Sequence, residues 1–277
     1  MRCYSVFFIV LLLSACSYSK KNATEEADPL KAAQINTELG FGYLRQGEVE
    51  IAISKFERAI SYQASSISAH YALGLAYEQQ GKVGLAEEYF QRALKLDEQD
   101  SAANNNYGTF LCRQQRLLEA EKYFLAALKD PKYQTPELAY LNAALCVKKI
   151  PDHPKAEVYL KKVLDLNPKV PVALYHMADI QYAKQNYLSA RAYLQRYMEL
   201  GSADARVLWL GFEVEKRLGD AGQAKLLADK ILKEFPASEE AQKLKKTLGP
   251  ELKGVKSNKN TPEKPASKAI KGLDIVR

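Results

Sequence analysis

The chain has 277 residues, 47% of them hydrophobic, which is enough for one large domain or two ordinary ones with a sizeable core. Its formal net charge is +7, and much of that excess lies after Gly249, where basic residues far outnumber acidic ones. A nucleic-acid-binding protein would carry a basic stripe on its folded surface. Because the charge here sits mainly in a tail, we do not expect nucleic acid as a partner.

The N-terminus has the pattern of a secretory signal. Arg2 supplies a positive start, and an apolar run follows from about residue 4 to residue 13. That run is too short to span a bilayer, which needs about 20 apolar residues. It ends in Leu-Ser-Ala-Cys at Cys16, which resembles the lipobox of bacterial lipoproteins. We therefore expect cleavage after residue 15 and lipidation of the Cys16 thiol, the alternative being an ordinary signal peptide with a chance cysteine.

A lipidated Cys16 would fix the location of the protein. Each buried methylene of an acyl chain adds roughly 0.8 kcal/mol of membrane affinity, so two or three chains hold firmly. The next residue is Ser17 rather than Asp, which in lipoproteins of the enterobacterial type implies release to the outer membrane. We predict an outer-membrane anchor facing the periplasm, with the covalent lipid in place of any cofactor. Residues 16–30 are polar at first and are predicted to be a flexible tether.

An internal repeat begins after this tether. Gly40, Gly74 and Gly108 lie 34 residues apart, the period of tetratricopeptide helix pairs. Small residues at such positions allow two helices to approach closely, and neighbouring pairs must stack because one pair cannot bury its apolar faces. Three further sets keep the same step: Ala52, Ala86 and Ala120; Phe56, Phe90 and Phe124; and Ala59, Ala93 and Ala127.

Three weaker repeats follow. Ala144 and Ala178 take the small position in the fourth and fifth pairs. The sixth pair has a good second helix, but in its first helix, residues 205–218, the Leu-Gly step at Gly211 lies one residue out of register. Residues 238–248 have the charge pattern of a terminal capping helix.

The predicted fold is therefore all-α: a right-handed superhelical solenoid of about six tetratricopeptide pairs plus a C-terminal capping helix. The solenoid with its cap is assigned to residues 31–248. Residues 249–277 are rich in Lys, Pro, Ser and Asn, and they are predicted to be a disordered basic tail.

Catalytic and metal-binding patterns are missing from the sequence. His70, His153 and His176 form no HExxH motif, and no paired-cysteine spacing, phosphate loop or GxSxG motif is present. We expect each histidine to be packed or solvated. The sequence predicts neither an enzyme nor a metal site, and binding of other proteins is the expected activity.

In tetratricopeptide stacks the first helices line a concave groove. Repeat positions 5, 9 and 12 place an apolar and aromatic set in its N-terminal part, without the Lys/Arg set that clamps a terminal carboxylate. Such a groove suits a helix or an extended peptide with apolar anchors. The alternative is that Phe41 and Leu44 meet a neighbouring element of the same chain. The predicted partner groove comprises Phe41, Leu44, Tyr71, Leu75 and Asn105.

Two cysteines lie inside the repeats. Cys112 and Cys146 fall late in the first helices of adjacent pairs, and such helices pack side by side, so the Cα atoms can come within disulfide range. Because the periplasm is oxidising, we predict that Cys112 and Cys146 are bridged. The alternative is two independent buried thiols that act as small hydrophobic side chains.

Some segments are more specific than the repeat consensus. They are Ala-Gln-Ile-Asn-Thr-Glu-Leu-Gly at 33–40, Asn-Asn-Tyr-Gly-Thr-Phe-Leu-Cys at 105–112 and Leu-Gln-Arg-Tyr at 194–197. Together with the lipobox, they resemble the type IV pilus biogenesis lipoproteins of the PilF/PilW type, over roughly residues 10–245. The resemblance implies a pilotin, a lipoprotein that supports localisation and multimer assembly of the pilus secretin, with other pilus assembly proteins as further partners.

A second function shares the lipobox and the helical repeats. The protein could be an adaptor of another envelope machine, such as outer-membrane β-barrel assembly or the regulation of peptidoglycan enzymes. The segment at 105–112 favours the pilotin. A hydrolase would require a nucleophile–base pair, which the sequence does not offer.

Overall fold

The computed structural model describes residues 28–149, 153–201 and 203–248, which form thirteen helices and no strand, so the all-α prediction is confirmed. Cys16, the segments at 1–15 and 249–277 and most of the predicted tether lie outside these residues. No helix in the described ranges is long and apolar enough to cross a membrane. The helices are α1 (Pro29–Gln46), α2 (Val49–Tyr62), α3 (Ile67–Gln79), α4 (Val83–Leu96), α5 (Ser101–Arg113), α6 (Leu117–Ala127), α7 (Pro136–Val147), α8 (His153–Leu166), α9 (Pro171–Ala183), α10 (Tyr187–Met198), α11 (Ala205–Leu218), α12 (Ala221–Glu234) and α13 (Glu239–Leu248).

The first helix begins earlier than the sequence suggested. Pro29 opens α1, and the Asp28 side chain caps it by accepting a 3.0 Å hydrogen bond from the backbone N–H of Leu30. Proline fits the first helical position because the N–H it lacks would have no partner there, and Asp is a favoured capping residue. Residues 29 and 30, assigned above to the tether, therefore belong to the solenoid.

Helices pair two by two, and close contact within a pair depends on a small residue opposite a large one. A Cβ atom added to Gly40 would lie 2.3 Å from the Phe56 ring, and one added to Gly74 would lie 3.0 Å from the Phe90 ring. Both rings are fully buried. Later pairs keep the combined volume with Ala on the first helix and Leu on the second, at Ala144/Leu160 and Ala178/Leu194, all buried.

The sixth pair shows the one-residue displacement that the sequence indicates for its Leu-Gly step. Turns inside the pairs contain a residue with left-handed backbone, at Gly47, Gly81, Gln115, Gln185 and Gly219. In the other pairs this residue comes seven positions after the small one, so Gly219 makes Phe212, not Gly211, the equivalent of Gly40. Phe212 is buried, and Ala228, in the same core cluster, holds the position that Phe56 occupies in the first pair. At this repeat position the large side chain is on the first helix and the small one on the second. One residue earlier the usual order persists, since a Cβ atom added to Gly211 would lie 3.1 Å from the Leu227 side chain.

Successive pairs are joined by a charged side chain at one repeat position of the second helix, which we call the junction position. It bonds to the first or second helix of the following pair. Burial would raise the pKa of Glu87, but hydrogen bonds from Arg116 and Tyr107 outweigh it and lower that pKa. In the first pair the position holds apolar Ile53. The four junctions are Glu87 with Tyr107 and Arg116, Glu121 with Lys155 and Tyr159, Glu157 with Gln181 and Lys184, and Arg191 with Glu215.

The capping helix α13 closes the C-terminal end, as the charge pattern predicted. The Ser238 hydroxyl accepts a 3.1 Å hydrogen bond from the backbone N–H of Ala241, which fixes the start of the helix. Ala241 and Leu244 are fully buried against α11 and α12. The opposite edge is different: Ile35 and Leu39 on α1, the first helix of the described residues, are each 46% exposed.

Candidate protein-binding surface

The first helices of successive pairs contact one another directly, α1 with α3, α3 with α5, α5 with α7 and α9 with α11. Their outward side chains therefore form one continuous surface. At its N-terminal end α1 and α3 enclose a concavity of about 420 Å³. Its lining mixes apolar Leu30 and Phe41 with uncharged polar groups such as Gln34 and Ser68 and one carboxylate, Glu38. This composition suits a peptide with apolar anchors.

Phe41 lines this concavity and Tyr71 lies next to Phe41, and both side chains are partly buried. The Phe41 ring packs edge-on against Phe56, with centroids 5.3 Å apart, and lies 6.2 Å from the Tyr71 ring. Burial, with smaller effects of Asp100 and Tyr133, raises the pKa of the Tyr71 hydroxyl to about 12. Tyr71 is therefore neutral at physiological pH and offers an apolar ring with a polar tip.

Three of the five predicted groove residues are not on the surface. Leu44 and Leu75 are each 5% exposed and belong to the main core, and Asn105 is 4% exposed. The open groove predicted above is wrong for these three, because each meets a neighbouring element of its own chain. Whether Phe41 and Tyr71 bind a partner stays a prediction.

Asn105 is part of a buried polar network that the sequence did not reveal. The Asn142 amide donates to Asn105 Oδ1 at 3.1 Å and to Thr109 Oγ1 at 3.3 Å. The Thr109 hydroxyl in turn donates to the Asn105 carbonyl at 2.8 Å. Asn142 is fully buried. The network links α5 to α7 and explains how a polar position can sit in the core, since each such group needs a partner there.

The predicted cysteine pair is present as a disulfide. Cys112 and Cys146 are fully buried, and their Cα atoms lie 5.8 Å apart. The bridge joins α5 to α7 beside the Asn142 network. Because the disulfide is buried, we assign it a structural role: it links the third helix pair to the fourth.

A charged pair lies on the same surface between α3 and α5. Arg113 Nε donates to Glu78 Oε1 at 2.6 Å, and a second Arg113 nitrogen bonds the other Glu78 oxygen. The guanidinium is thus neutralised within the chain. Arg113 does not supply a free clamp for a terminal carboxylate, in line with the apolar character predicted for this groove.

Sequence reasoning missed a second concavity, of about 520 Å³, in the C-terminal half. Three aromatic rings line it: Tyr175 and Tyr182 on α9 and Trp209 on α11. Its rim carries both signs of charge, from Asp179, Glu213 and Glu240 and from Arg206 and Lys243. No repeat rule marks this cluster, although Trp209 is the single tryptophan of the chain.

His70 and His176 contact other groups of the chain. His70 is 8% exposed, and its Nε2 lies 3.0 Å from the Ala64 carbonyl oxygen, with the ring stacked on Tyr89. His176 Nδ1 lies 2.9 Å from the Lys148 ammonium. In the part of the chain that the structure describes, no three His, Cys, Asp or Glu side chains are grouped so as to hold a metal ion.

Helix pairing, the 34-residue step and the stacked first helices define a tetratricopeptide-repeat protein, a class that binds other proteins on its helical surface. Family models described as tetratricopeptide repeat match residues 37–101, 84–135 and 152–211.

Comparison with known proteins shows which tetratricopeptide-repeat proteins this chain resembles. The chain is 30% identical to the type IV pilus assembly protein PilF of Pseudomonas aeruginosa over 244 residues, which cover 87% of this chain and 97% of that protein. The solved structure of Pseudomonas aeruginosa PilF matches 79% of this chain and 98% of its own length, with 30% identity and a TM-score of 0.72. The crystal structure of PilW, a widely conserved type IV pilus biogenesis factor, matches 76% of this chain and 97% of its own, with 32% identity and a TM-score of 0.69. The chain belongs to the PilF/PilW family of tetratricopeptide-repeat proteins of type IV pilus biogenesis.

Proposed function

We propose that this protein is a non-catalytic, lipid-anchored scaffold of the outer membrane that supports localisation and assembly of the type IV pilus secretin. The single observation that carries the proposal is the membership of the PilF/PilW family over nearly the whole length of a type IV pilus assembly protein. The lipobox at Cys16 adds the anchor. The protein offers an apolar docking surface at the end of the solenoid next to that anchor, and Cys16 carries the lipid as its only non-protein group.

The N-terminal concavity is the surface we assign to the secretin. Leu30 is 60% exposed at its rim, and Phe41 and Tyr71 supply half-buried rings beside it. Exposed apolar side chains next to aromatic rings are typical anchors for a partner helix or strand. Leu44, Leu75 and Asn105 are buried and are not contact residues.

The test compares two leucines in matched settings. Leu30 and Leu188 are both the second residue of their helices, and they are 60% and 70% exposed. Asp is tolerated near a helix N-terminus, so Leu30→Asp and Leu188→Asp should both fold. We expect Leu30→Asp to weaken binding to the secretin on the order of tenfold, as for loss of an apolar anchor, and to reduce secretin multimers and surface pili. Leu188→Asp should behave as the wild type.

Equal piliation by the two variants at equal protein level would place the binding surface elsewhere. The alternative function has its own outcome: crosslinking in whole envelopes that captures β-barrel assembly or peptidoglycan-synthesis subunits, and no secretin, would assign the protein to another machine.

The anchor is tested separately. Cys16→Ser should abolish labelling by radioactive palmitate and release the protein from the outer-membrane fraction, because the acyl chains supply the membrane affinity. If the variant loses the label and still fractionates with the outer membrane, a different contact holds the protein there.

A further inference from the structure

The C-terminal concavity has chemistry that differs from the N-terminal one. The rings of Tyr175, Tyr182 and Trp209 are all partly buried and face a space of about 520 Å³. Two residues of the capping helix, Glu240 and Lys243, close one side of it. A pocket of this kind can hold apolar side chains against the rings and polar ends at the rim.

The rings also attract cations. The Arg206 guanidinium lies 5.9 Å from the centre of the Tyr175 ring, and the Lys243 ammonium lies 6.0 Å from the centre of the Trp209 ring. Three carboxylates, Asp179, Glu213 and Glu240, stand on the same rim. Asp179 also pairs with Lys148 and Glu213 with Lys216. A ligand segment that alternates apolar and basic side chains would satisfy both features.

A sequence of this kind occurs in the same chain. Residues 268–277 read Lys-Ala-Ile-Lys-Gly-Leu-Asp-Ile-Val-Arg, with four large apolar residues and three cations. The last described helix ends at Leu248, five residues after Lys243, a rise of about 8 Å. The intervening residues 249–267 can span up to roughly 60 Å when extended, far more than the return to the pocket requires.

We propose that residues 268–277 bind in the concavity formed by Tyr175, Tyr182 and Trp209, as a ligand supplied by the chain itself. Ile270 and Leu273 contact the rings, and Lys268 and Lys271 lie toward the rim carboxylates. Because attachment within one chain can give an effective concentration on the order of millimolar, an intrinsic dissociation constant of that order is sufficient for occupancy. The bound segment covers the C-terminal part of the surface formed by the first helices and so limits partners to the N-terminal part. This inference does not depend on the identity of the pilus partner.

Trp209 makes the proposal measurable, because it is the only tryptophan. In the full-length mature protein, Ile270→Ser with Leu273→Ser should shift Trp209 emission to the red and increase its quenching by acrylamide about twofold. The matched control is Leu252→Ser with Val255→Ser, which removes apolar residues from the intervening segment and should leave emission and quenching unchanged. Circular dichroism should show equal helicity in all three proteins. A synthetic peptide of residues 268–277, added to the first variant, should restore the wild-type emission.

Equal quenching of Trp209 in the wild type and in the Ile270/Leu273 variant would overturn the proposal. A second measurement identifies the occupant directly: a photocrosslinker in place of Leu273 should join peptides that contain Tyr175 or Trp209 within one molecule, and one in place of Val255 should not. Crosslinks to a second copy or to an envelope partner, without the intramolecular product, would also overturn it.

Discussion

Phe212 and Ala228 share one buried cluster between α11 and α12, with the large side chain on the first helix and the small one on the second. In the first pair the equivalent residues, Gly40 and Phe56, have the opposite sizes. Close packing fixes the combined volume between two helices, not the helix that supplies it. The sixth pair therefore keeps the fold with its sizes exchanged.

Exchanging Phe212 and Ala228 should lower the free energy of unfolding by less than the sum of the two single substitutions. Phe212→Ala leaves a cavity and should cost about 3–5 kcal/mol of unfolding free energy. Ala228→Phe overpacks the same space and should cost about 1–3 kcal/mol. The double variant should recover part of both losses, a coupling of about 1–3 kcal/mol. Urea unfolding of the four proteins measures it, and strictly additive costs would show that the two side chains do not share the space.

The sixth pair also shows how much of the repeat register can be predicted from the sequence. Gly40, Gly74 and Gly108 with their phenylalanines reveal the repeat because each pair uses the same sizes in the same order. In the sixth pair Gly211 lies one residue before the repeat position, as the sequence indicates, and an added Cβ atom there would meet Leu227. The left-handed turn at Gly219 confirms this displacement, since backbone geometry keeps its place when side-chain volumes change.

The binding surface was less predictable for a physical reason. Repeat position tells which side of a helix a residue takes, and Phe41 and Tyr71 do lie at the N-terminal concavity. How deeply a side chain is buried depends on the neighbouring helices, and Leu44 and Leu75 are buried in the main core. The ring cluster around Trp209 joins residues of α9, α11 and α13, and no single repeat contains it.

Two glycines of α1 should respond in opposite directions to the same change. A Cβ atom at Gly40 would meet the Phe56 ring, whereas one at Gly42 would have no atom within 4 Å outside its own surroundings in the helix. Gly40→Ala should therefore cost about 1–3 kcal/mol of unfolding free energy. Gly42→Ala should add about 0.5–1 kcal/mol, since alanine is the better helix former. Thermal unfolding compares the two, and equal shifts in Tm would contradict the packing shown between α1 and α2.

Acid should loosen the junction between the fourth and fifth pairs. A hydrogen bond from Lys184, with a smaller contribution from Lys161, lowers the pKa of Glu157 in the folded protein. A carboxyl with a lowered folded pKa stabilises the protein above its unfolded pKa, about 4.3, and this contribution is lost as the pH falls through the folded pKa. Glu157→Gln should be roughly 1 kcal/mol less stable at pH 7 and should lose less stability between pH 7 and pH 3 than the wild type.

The control for Glu157 is Glu88→Gln. Glu88 pairs with Arg92 one turn away on the same helix, and both side chains are 49% exposed, so solvent screens the pair and its removal should change little. Identical pH profiles for Glu157→Gln and the wild type would show that the carboxylate adds nothing at this junction.

The Cys112–Cys146 bridge should stabilise the third and fourth pairs without taking part in binding. It closes a segment with a sequence separation of 34. In the chain-entropy model such a loop corresponds to about 3–4 kcal/mol of unfolding free energy, less any native strain. Mass spectrometry of the non-reduced protein after alkylation should find no free thiol at Cys112 or Cys146. The double variant Cys112→Ser with Cys146→Ser should have a lower Tm than the wild type. Because both cysteines are fully buried, the folded double variant should equal the wild type in the proposed binding to the secretin. Two alkylated thiols in the wild-type protein would contradict the bridge, and loss of binding at unchanged helicity would give it a part in recognition.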